Sequence, residues 1–171
     1  MRTKTSSKKG FTLIEIMIVV VIIGILAVAL FPKLLGAIST SSDEGRKAEL
    51  KSLSVIMLQY KNDTGAYPDA ATCVTDTGGG LGSTLINDGY VNKGKFPKDP
   101  NKNNTVSGCA GYFYYVPLAK NGTSAATFAL VAKMENKTQG NTDDLPGASD
   151  DVQAFTSKLK KGGTYYVELG L

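Results

Sequence analysis

The sequence predicts an α+β protein in which a long N-terminal α-helix packs on a small antiparallel β-sheet of three or four strands. Three observations support this prediction. An apolar run covers residues 11–32, an apolar stripe at helical spacing follows over residues 50–60, and three segments after residue 111 are rich in Tyr, Phe, Val and Leu. Such a stripe buries one face of a helix against one face of a sheet.

The charge balance and composition exclude several classes of function. The chain has 171 residues, with 19 Lys+Arg against 15 Asp+Glu and a net charge of +4. Four basic residues at the N-terminus account for the whole surplus: Arg2, Lys4, Lys8 and Lys9. A basic nucleic-acid-binding domain is therefore not predicted. The sequence contains no His, which excludes a Ser-His-Asp triad and a His-ligated zinc, and we predict that the protein is not an enzyme.

Residues 11–32 form an apolar segment whose only charged residue is Glu15. As a helix the segment is roughly 33 Å long, about the thickness of a hydrocarbon core. The basic residues before it predict insertion with the N-terminus left in the cytoplasm. A secretory signal cut after Ala29 and a plain single-span anchor both fit this pattern. Neither explains Glu15, because a carboxylate in hydrocarbon costs roughly 2.5–3.5 kcal/mol on insertion scales.

A cleavage site explains both the basic start and the acid. The stretch KKGFTLIE, residues 8–15, resembles the class III signal of type IV pilins and type II secretion pseudopilins. The resemblance implies that residues 1–10 are a leader and that a prepilin peptidase cuts between Gly10 and Phe11. It also implies that the new amine of Phe11 is methylated. That amine would lie four residues before Glu15.

The same resemblance implies an assembly role for residues 11–32. The subunit would wait in the inner membrane, with its globular part outside the cytoplasm, until assembly machinery stacks the apolar helices into a filament core. Phe11 and Glu15 would act in this assembly, together with Gly24 and Pro32, between which assembled pilins lose helix. A simple kink is the alternative, because Pro32 has no N–H to donate.

The helix is expected to continue beyond the apolar segment. An apolar stripe with steps of three or four residues is formed by Leu50, Leu53, Met57 and Tyr60. Charged residues, Arg46 among them, are expected on the other faces. Gly65 and the following Pro68 predict the end of the helix.

The resemblance implies one continuous helix over about residues 11–63. Poor helix formers at Gly36, residues 39–42 and Gly45 predict that it is bent or loosened there. The spacing of Ser41 and Glu44 is that of a capping box, so a second helix starting at Ser41 is the alternative.

The globular part is predicted to span residues 33–171. It comprises the amphipathic helix to about residue 63, a connecting loop over about 64–110 and the sheet over about 111–171. Strands are predicted at residues 112–118, 127–134 and 164–169, which are separated by Gly-, Asn- and Asp-containing turns. Together with the long helix, these elements correspond to the type IV pilin fold that the resemblance implies.

The two cysteines, Cys73 and Cys109, lie in the part predicted to be outside the cytoplasm, and we predict that they form a disulfide. It would close the Gly-rich loop between them and stabilise the fold by roughly 3–4 kcal/mol in the chain-entropy model. Two buried free thiols are the alternative. Pilins commonly carry a single disulfide nearer the C-terminus. We therefore do not assume that this chain has the C-terminal disulfide region of those proteins.

Two clusters of charge remain. An acidic cluster precedes the last predicted strand and contains Asp143, Asp144, Asp150 and Asp151. Carboxylates in such a loop can bind calcium, and major pseudopilins have a calcium site in that region. The EF-hand spacing is absent, and the acids can be neutralised by Lys158, Lys160 and Lys161. We therefore predict a solvated loop without a cofactor. Calcium bound to Asp143, Asp144 and Asp150 is the alternative.

A solvated face is also predicted for the basic run of Lys93, Lys95, Lys98 and Lys102.

The sequence therefore predicts a structural subunit that polymerises into a bacterial type IV pilus through its N-terminal helix. The predicted partners are other copies of the chain, the prepilin peptidase, the inner-membrane assembly machinery and, before assembly, the membrane. The near alternative is a major pseudopilin of a type II secretion system, located in a periplasmic pseudopilus. A further alternative is a single-span or secreted binding module.

Overall fold

The computed structural model describes residues 10–76, 80–120, 123–147 and 150–170. Its first element, α1, is a 52-residue helix over Leu13–Thr64. The chain divides into two compact units, Met1–Ile38 and Ser39–Leu171. We call the second unit the head.

Helix α1 ends where the sequence predicts. Gly65 has a φ of 86°, and its N–H donates to the carbonyl of Lys61 at 2.8 Å. Glycine is favoured in this left-handed conformation because it has no Cβ. The helix also remains unbroken through residues 39–42 and Gly45. The prediction of one continuous helix is therefore confirmed, and the alternative of a second helix starting at Ser41 is wrong.

The head contains a four-stranded antiparallel sheet in the order β1-β4-β5-β6. The strands are β1 (Thr72–Val74), β4 (Phe113–Lys120), β5 (Thr123–Lys133) and β6 (Tyr165–Leu169). The last three match the predicted strands, whereas β1 lies in the segment predicted to be a loop. That segment also contains the short helix α2 (Leu81–Asn87) and a hairpin formed by β2 (Thr105–Val106) and β3 (Cys109–Ala110). A further short helix, α3 (Val152–Thr156), precedes β6.

One face of the sheet packs on α1. Leu50, Leu53 and Met57 of the predicted stripe are almost completely buried. They share a core with apolar side chains of β4 and β5, which include Phe113, Tyr115, Phe128 and Leu130. Tyr115 and Leu130 lie opposite each other in the strand register. The predicted packing of the helix stripe on the sheet is thus confirmed.

The other face of the sheet has a second core. Val116, Val131 and Val167, one from each long strand, are buried there. The β2–β3 hairpin contributes Val106 to this core, and α3 contributes Phe155. Elements from the connecting segment and from the region after β5 therefore cover the face that α1 does not.

A side chain closes the outer edge of β6. The amide of Asn141 donates to the carbonyl of Val167 at 3.0 Å and accepts from the N–H of Val167 at 2.8 Å. These are the two bonds that a neighbouring strand would make. Because open edges invite pairing with other chains, the Asn141 contact leaves less of this edge free to pair.

Arg46 lies in the interior, so the prediction that it occupies a face of α1 other than that of the buried stripe is wrong. Its guanidinium bonds Asp99 twice, at 2.9 Å each, and also bonds Asp43 at 2.6 Å and Glu135 at 2.8 Å. Asp43 also accepts the backbone N–H groups of Glu135 and Asn136. Burial alone would lower the pKa of Arg46, but its hydrogen bonds to the three carboxylates raise it. These contacts outweigh the weak helix propensity of residues 39–45.

Candidate functional site

The backbone around the expected cleavage point lies ahead of the helix. Residues 10–12 have no regular secondary structure, and α1 begins at Leu13. Gly10 is exposed, and 83 % of the Phe11 surface is accessible to solvent. The bond between Gly10 and Phe11 is therefore open to an enzyme. Arg2, Lys4, Lys8 and Lys9 lie outside the described residues.

Glu15 caps the first turn of α1. Its carboxylate accepts the backbone N–H and the hydroxyl of Thr12, each at 3.0 Å, and the N–H of Glu15 approaches the Thr12 hydroxyl at 3.3 Å. This reciprocal arrangement is a capping box, and the T-x-x-E pattern that produces it is visible in the sequence. Thr12 is the one residue of this site that our sequence reasoning missed.

The helix that follows Glu15 presents apolar side chains to its surroundings. Within the described residues, α1 is long and apolar enough to cross a membrane, and none of its most apolar window is buried. Large apolar residues are exposed all around it, among them Met17, Val21, Val28, Phe31 and Ile38. A surface of this kind is stable only in lipid or against other apolar helices.

Gly24 and Pro32 both lie inside the unbroken α1. Open space surrounds the position that a Cβ would take on Gly24. No packing contact with the chain's own described residues therefore requires a glycine there. Loss of helix between the two residues on assembly stays a prediction.

Cys73 of β1 and Cys109 of β3 are joined by a disulfide, with their Cα atoms 5.5 Å apart. Polar contacts of Asp76, three residues after Cys73, also connect this part of the chain to the region around Cys109. Asp76 accepts from the Tyr112 hydroxyl at 2.6 Å and pairs with Lys98 at 2.7 Å. The disulfide and the Asp76 contacts together hold the edge strand β1 against the segment before β4.

Most of the acidic side chains before β6 have partners within the chain. Asp143 pairs with Lys160 at 2.7 Å and accepts the N–H of Thr164 at 2.8 Å, and these bonds lower the pKa of Asp143 to about 2. Asp150 accepts the N–H of Gly147, and Asp151 caps α3. The described residues contain no group of three or more His, Cys, Asp or Glu placed to hold a metal. Calcium on Asp143, Asp144 and Asp150 stays a hypothesis.

The basic run does not form a single cluster of free charges. Lys98 is engaged by Asp76, and its ammonium lies 5.8 Å from the ring centre of Tyr112. Lys93, Lys95 and Lys102 are exposed. This arrangement fits the predicted solvated face.

Comparisons with known proteins agree with the N-terminal pattern. Residues 5–31 match the family profile described as the prokaryotic N-terminal methylation motif. No solved structure matches the chain.

Several curated relatives carry the name "Type II secretion system core protein G". The relative from Pseudomonas aeruginosa is 36% identical over 98 residues, which are 54% of this chain and 68% of the relative. The relative from Escherichia coli K12 is 31% identical over 107 residues, 60% of this chain and 72% of the relative. The relative from Vibrio cholerae is 33% identical over 101 residues, 57% of this chain and 68% of the relative. Together with the exposed apolar helix and its capped acid, these similarities show that the chain belongs to the type II secretion system core protein G family of pilin-like subunits.

Proposed function

We propose that the chain is a major pseudopilin, a subunit that is inserted into the inner membrane, cut between Gly10 and Phe11, and then polymerised into a pseudopilus. The observation that carries the proposal is the exposed apolar part of α1, which begins with the Thr12–Glu15 capping box. The names of the curated relatives favour the pseudopilus over the type IV pilus.

The local backbone supports the processing step. Gly10 and Phe11 precede the helix and are exposed, so a peptidase can bind them without first unwinding a helical turn. The capping box fixes the start of the helix at Leu13, two residues beyond the cleaved bond. Residues 1–10 are the proposed leader, and Phe11 is the proposed site of methylation.

Charge and redox chemistry support the proposed orientation. The four basic residues of the leader favour the cytoplasmic side of the membrane. The head then lies outside the cytoplasm, where disulfides such as Cys73–Cys109 persist.

Polymerisation provides a new environment for the apolar helix when it leaves lipid. Contacts in which one surface binds a different surface of the next copy produce helical fibres when the rotation between copies does not close into a ring. We propose that residues 11–32, including Gly24 and Pro32, form the core of such a fibre. The inner-membrane secretion machinery would drive the assembly.

Glu15 gives this assembly a polar contact. Two unit charges 4 Å apart attract by about 4 kcal/mol at an effective dielectric of 20. The amine of an incoming Phe11 can therefore pair with the Glu15 carboxylate of a subunit already in the fibre. Such a pair fixes the axial register, which apolar contacts leave free to slide.

The role that we infer is structural rather than catalytic. The chain contains no His. Among the described residues, the buried side-chain polar atoms all have hydrogen-bond partners within the protein. The polar groups of the interior are thus committed to holding the fold.

N-terminal sequencing and a secretion assay test the proposal together. The chain is produced in a bacterium whose type II secretion system lacks its own core protein G. We expect a mature N-terminus at Phe11, pseudopilus fibres and restored secretion. The variant Gly10→Leu, in which we expect cleavage to be blocked, is the matched control and should give neither fibres nor secretion. A mature N-terminus at Leu30 would instead support a secreted module, and one at Met1 a plain anchor.

A further inference from the structure

An apolar groove lies on the first turns of α1. It has a volume of about 320 Å³ and is lined by Ile14, Met17, Ile18, Val21 and Ile22. Side chains four positions apart form ridges on a helix, so these residues make two ridges with the groove between them. We call this feature the Ile18 groove. It belongs entirely to the unit Met1–Ile38.

Glu15 lies beside the Ile18 groove and has one carboxylate oxygen to spare. Ile18 and Ile22 follow Glu15 by three and seven residues, which places them near the same face of the helix. The backbone N–H and the hydroxyl of Thr12 both donate to Oε2 of Glu15. Within the described part of the chain, no hydrogen bond or ion pair engages Oε1. The carboxylate can therefore cap its own helix and still accept a hydrogen bond from a second copy.

The ring of Phe11 does not pack on its own helix. The residue precedes α1, and its surface is 83 % accessible. Phe11 is also not one of the residues that line the Ile18 groove. An aromatic ring is a large apolar surface, so it needs a second apolar surface once it leaves lipid.

The amine and the ring of a mature Phe11 leave the same Cα. If the amine of an incoming copy pairs with Glu15 of a copy in the fibre, the ring lies within one side-chain length of that carboxylate. The Ile18 groove offers apolar surface at this distance. It is also long enough for a ring, because the eight residues from Ile14 to Ile22 rise about 12 Å.

We propose that the Ile18 groove of a subunit in the fibre binds the Phe11 side chain of the incoming copy, while the amine of that Phe11 pairs with Glu15. The inference rests on the proposed polymerisation and identifies the contact that recognises the processed N-terminus. An amine is the same on every mature chain, whereas the groove selects a large apolar side chain. An uncleaved chain has no amine at Phe11 and therefore cannot make both contacts.

Photo-crosslinking from position 11 tests this proposal. Phe11 is replaced by p-benzoylphenylalanine, which inserts into nearby C–H bonds under ultraviolet light. The labelled chain is produced together with the unlabelled chain, so that fibres form, in a bacterium whose type II secretion system lacks its own core protein G. We expect covalent dimers in sheared fibres, with the link ending on Met17 or another residue of the Ile18 groove. Such dimers should be several-fold rarer in the inner-membrane fraction.

A processing control shows whether the contact depends on the amine. The same label is placed at position 11 of the Gly10→Leu chain, in which the amine is not released. This chain should give no dimers linked at the Ile18 groove. Dimers linked there as often as in the cleaved chain would contradict a contact that recognises the processed N-terminus.

The size of the Phe11 side chain provides an independent measurement without a label. Phe11→Ser should lower the fibre yield several-fold, and Phe11→Leu should lower it less, because leucine keeps an apolar side chain for the groove. The yield is measured per cleaved chain, counted by N-terminal sequencing. A yield from Phe11→Ser equal to that of the unaltered chain would overturn the inference.

Three outcomes of the crosslinking would also overturn it and leave the proposed function standing. A link within one chain would show that the Phe11 ring packs on its own helix. A link between copies that ends outside residues 14–22 would assign the ring to another surface. Fibres without any link to protein would show that the ring stays with lipid. If the unlabelled chain forms no fibres, the proposed function fails, and this inference fails with it.

Discussion

Arg46 and Asp99 form a two-pronged ion pair in the interior of the head. Nε and Nη2 of the guanidinium each lie 2.9 Å from an oxygen of the Asp99 carboxylate. The side chains are 0% and 3% exposed, and the two residues are 53 positions apart in the sequence. The pair thus joins α1 to the segment before β2, and Asp43 and Glu135 extend the contact to the end of β5.

The head should fold without the apolar helix. We predict that a fragment of residues 33–171, exported to the periplasm, is a soluble monomer, because both cores and the Arg46 cluster belong to the unit Ser39–Leu171. Sedimentation equilibrium measures its mass. Filaments of this fragment in dilute buffer would show that residues 11–32 are not the polymerisation element.

Removal of the buried guanidinium should destabilise this fragment strongly. Arg46→Met leaves Asp43 and Asp99 buried without their cation, and removal of one partner from a buried ion pair costs about 3–5 kcal/mol. Urea unfolding followed by circular dichroism measures the free energy of unfolding. Lys51→Met, on the exposed face of α1, is the matched control and should change it by less than about 0.5 kcal/mol. Equal stability of the two variants would contradict a stabilising role for the cluster.

Acid should also destabilise the head. Hydrogen bonds from Arg46 and Asn101 lower the pKa of Glu135 from its ordinary 4.5, and bonds from Lys160 and Thr164 lower the pKa of Asp143 from 3.8 to about 2. A carboxylate with a lowered folded pKa stabilises the protein above its unfolded pKa, and this stabilisation is lost as the pH falls through the folded pKa.

We therefore expect the melting temperature to be level above about pH 5 and to fall from there toward about pH 2. Glu135→Gln should flatten the upper part of this decrease, whereas Glu49→Gln, a half-buried residue of α1 outside these contacts, should not. A melting temperature that is constant down to pH 2 would show that these contacts are absent in solution.

The sequence predicts the parts of this fold that depend on local or periodic patterns. The stripe of Leu50, Leu53 and Met57 repeats at helical spacing, and Gly65 marks the end of the helix, so both were predictable. The Arg46 cluster was not, because two of the three partners of Arg46 lie 53 and 89 residues away and an arginine on a helix ordinarily faces water. The strand β1 has only three residues, and its pairing with β4 depends on a distant segment.

The candidate site follows the same division. Gly10, Phe11 and Glu15 were found because the motif is contiguous in the sequence. Thr12 was open to the same reasoning, since the capping box is also a local pattern.

The disulfide should contribute a large part of the stability of the head. Cys73 and Cys109 are 36 residues apart, and closing a loop of this size stabilises a fold by about 3–4 kcal/mol in the chain-entropy model. The double variant Cys73→Ala/Cys109→Ala should lose about this amount in urea unfolding. Mass spectrometry should show that reduction adds the mass of two hydrogen atoms. Two thiols that can be alkylated in protein purified from the cell envelope would contradict the bridge.

The charge of Glu15 should be required for assembly but not for insertion. Glu15→Leu removes both the charge and the helix cap, while Glu15→Gln removes the charge and keeps an acceptor for the Thr12 contacts. Both variants should insert and be cleaved, because loss of the charge makes residence in lipid easier. This pair of variants therefore separates capping from pairing between subunits.

The yield of pseudopilus fibres from Glu15→Gln, expressed as the only copy of the subunit, tests the central claim most directly. Quantitative immunoblotting compares sheared fibres with the inner-membrane fraction. We predict that Glu15→Gln, like Glu15→Leu, accumulates in the membrane and is nearly absent from fibres. A wild-type fibre yield from Glu15→Gln would contradict the claim, since it would show that Glu15 serves only to cap its own helix.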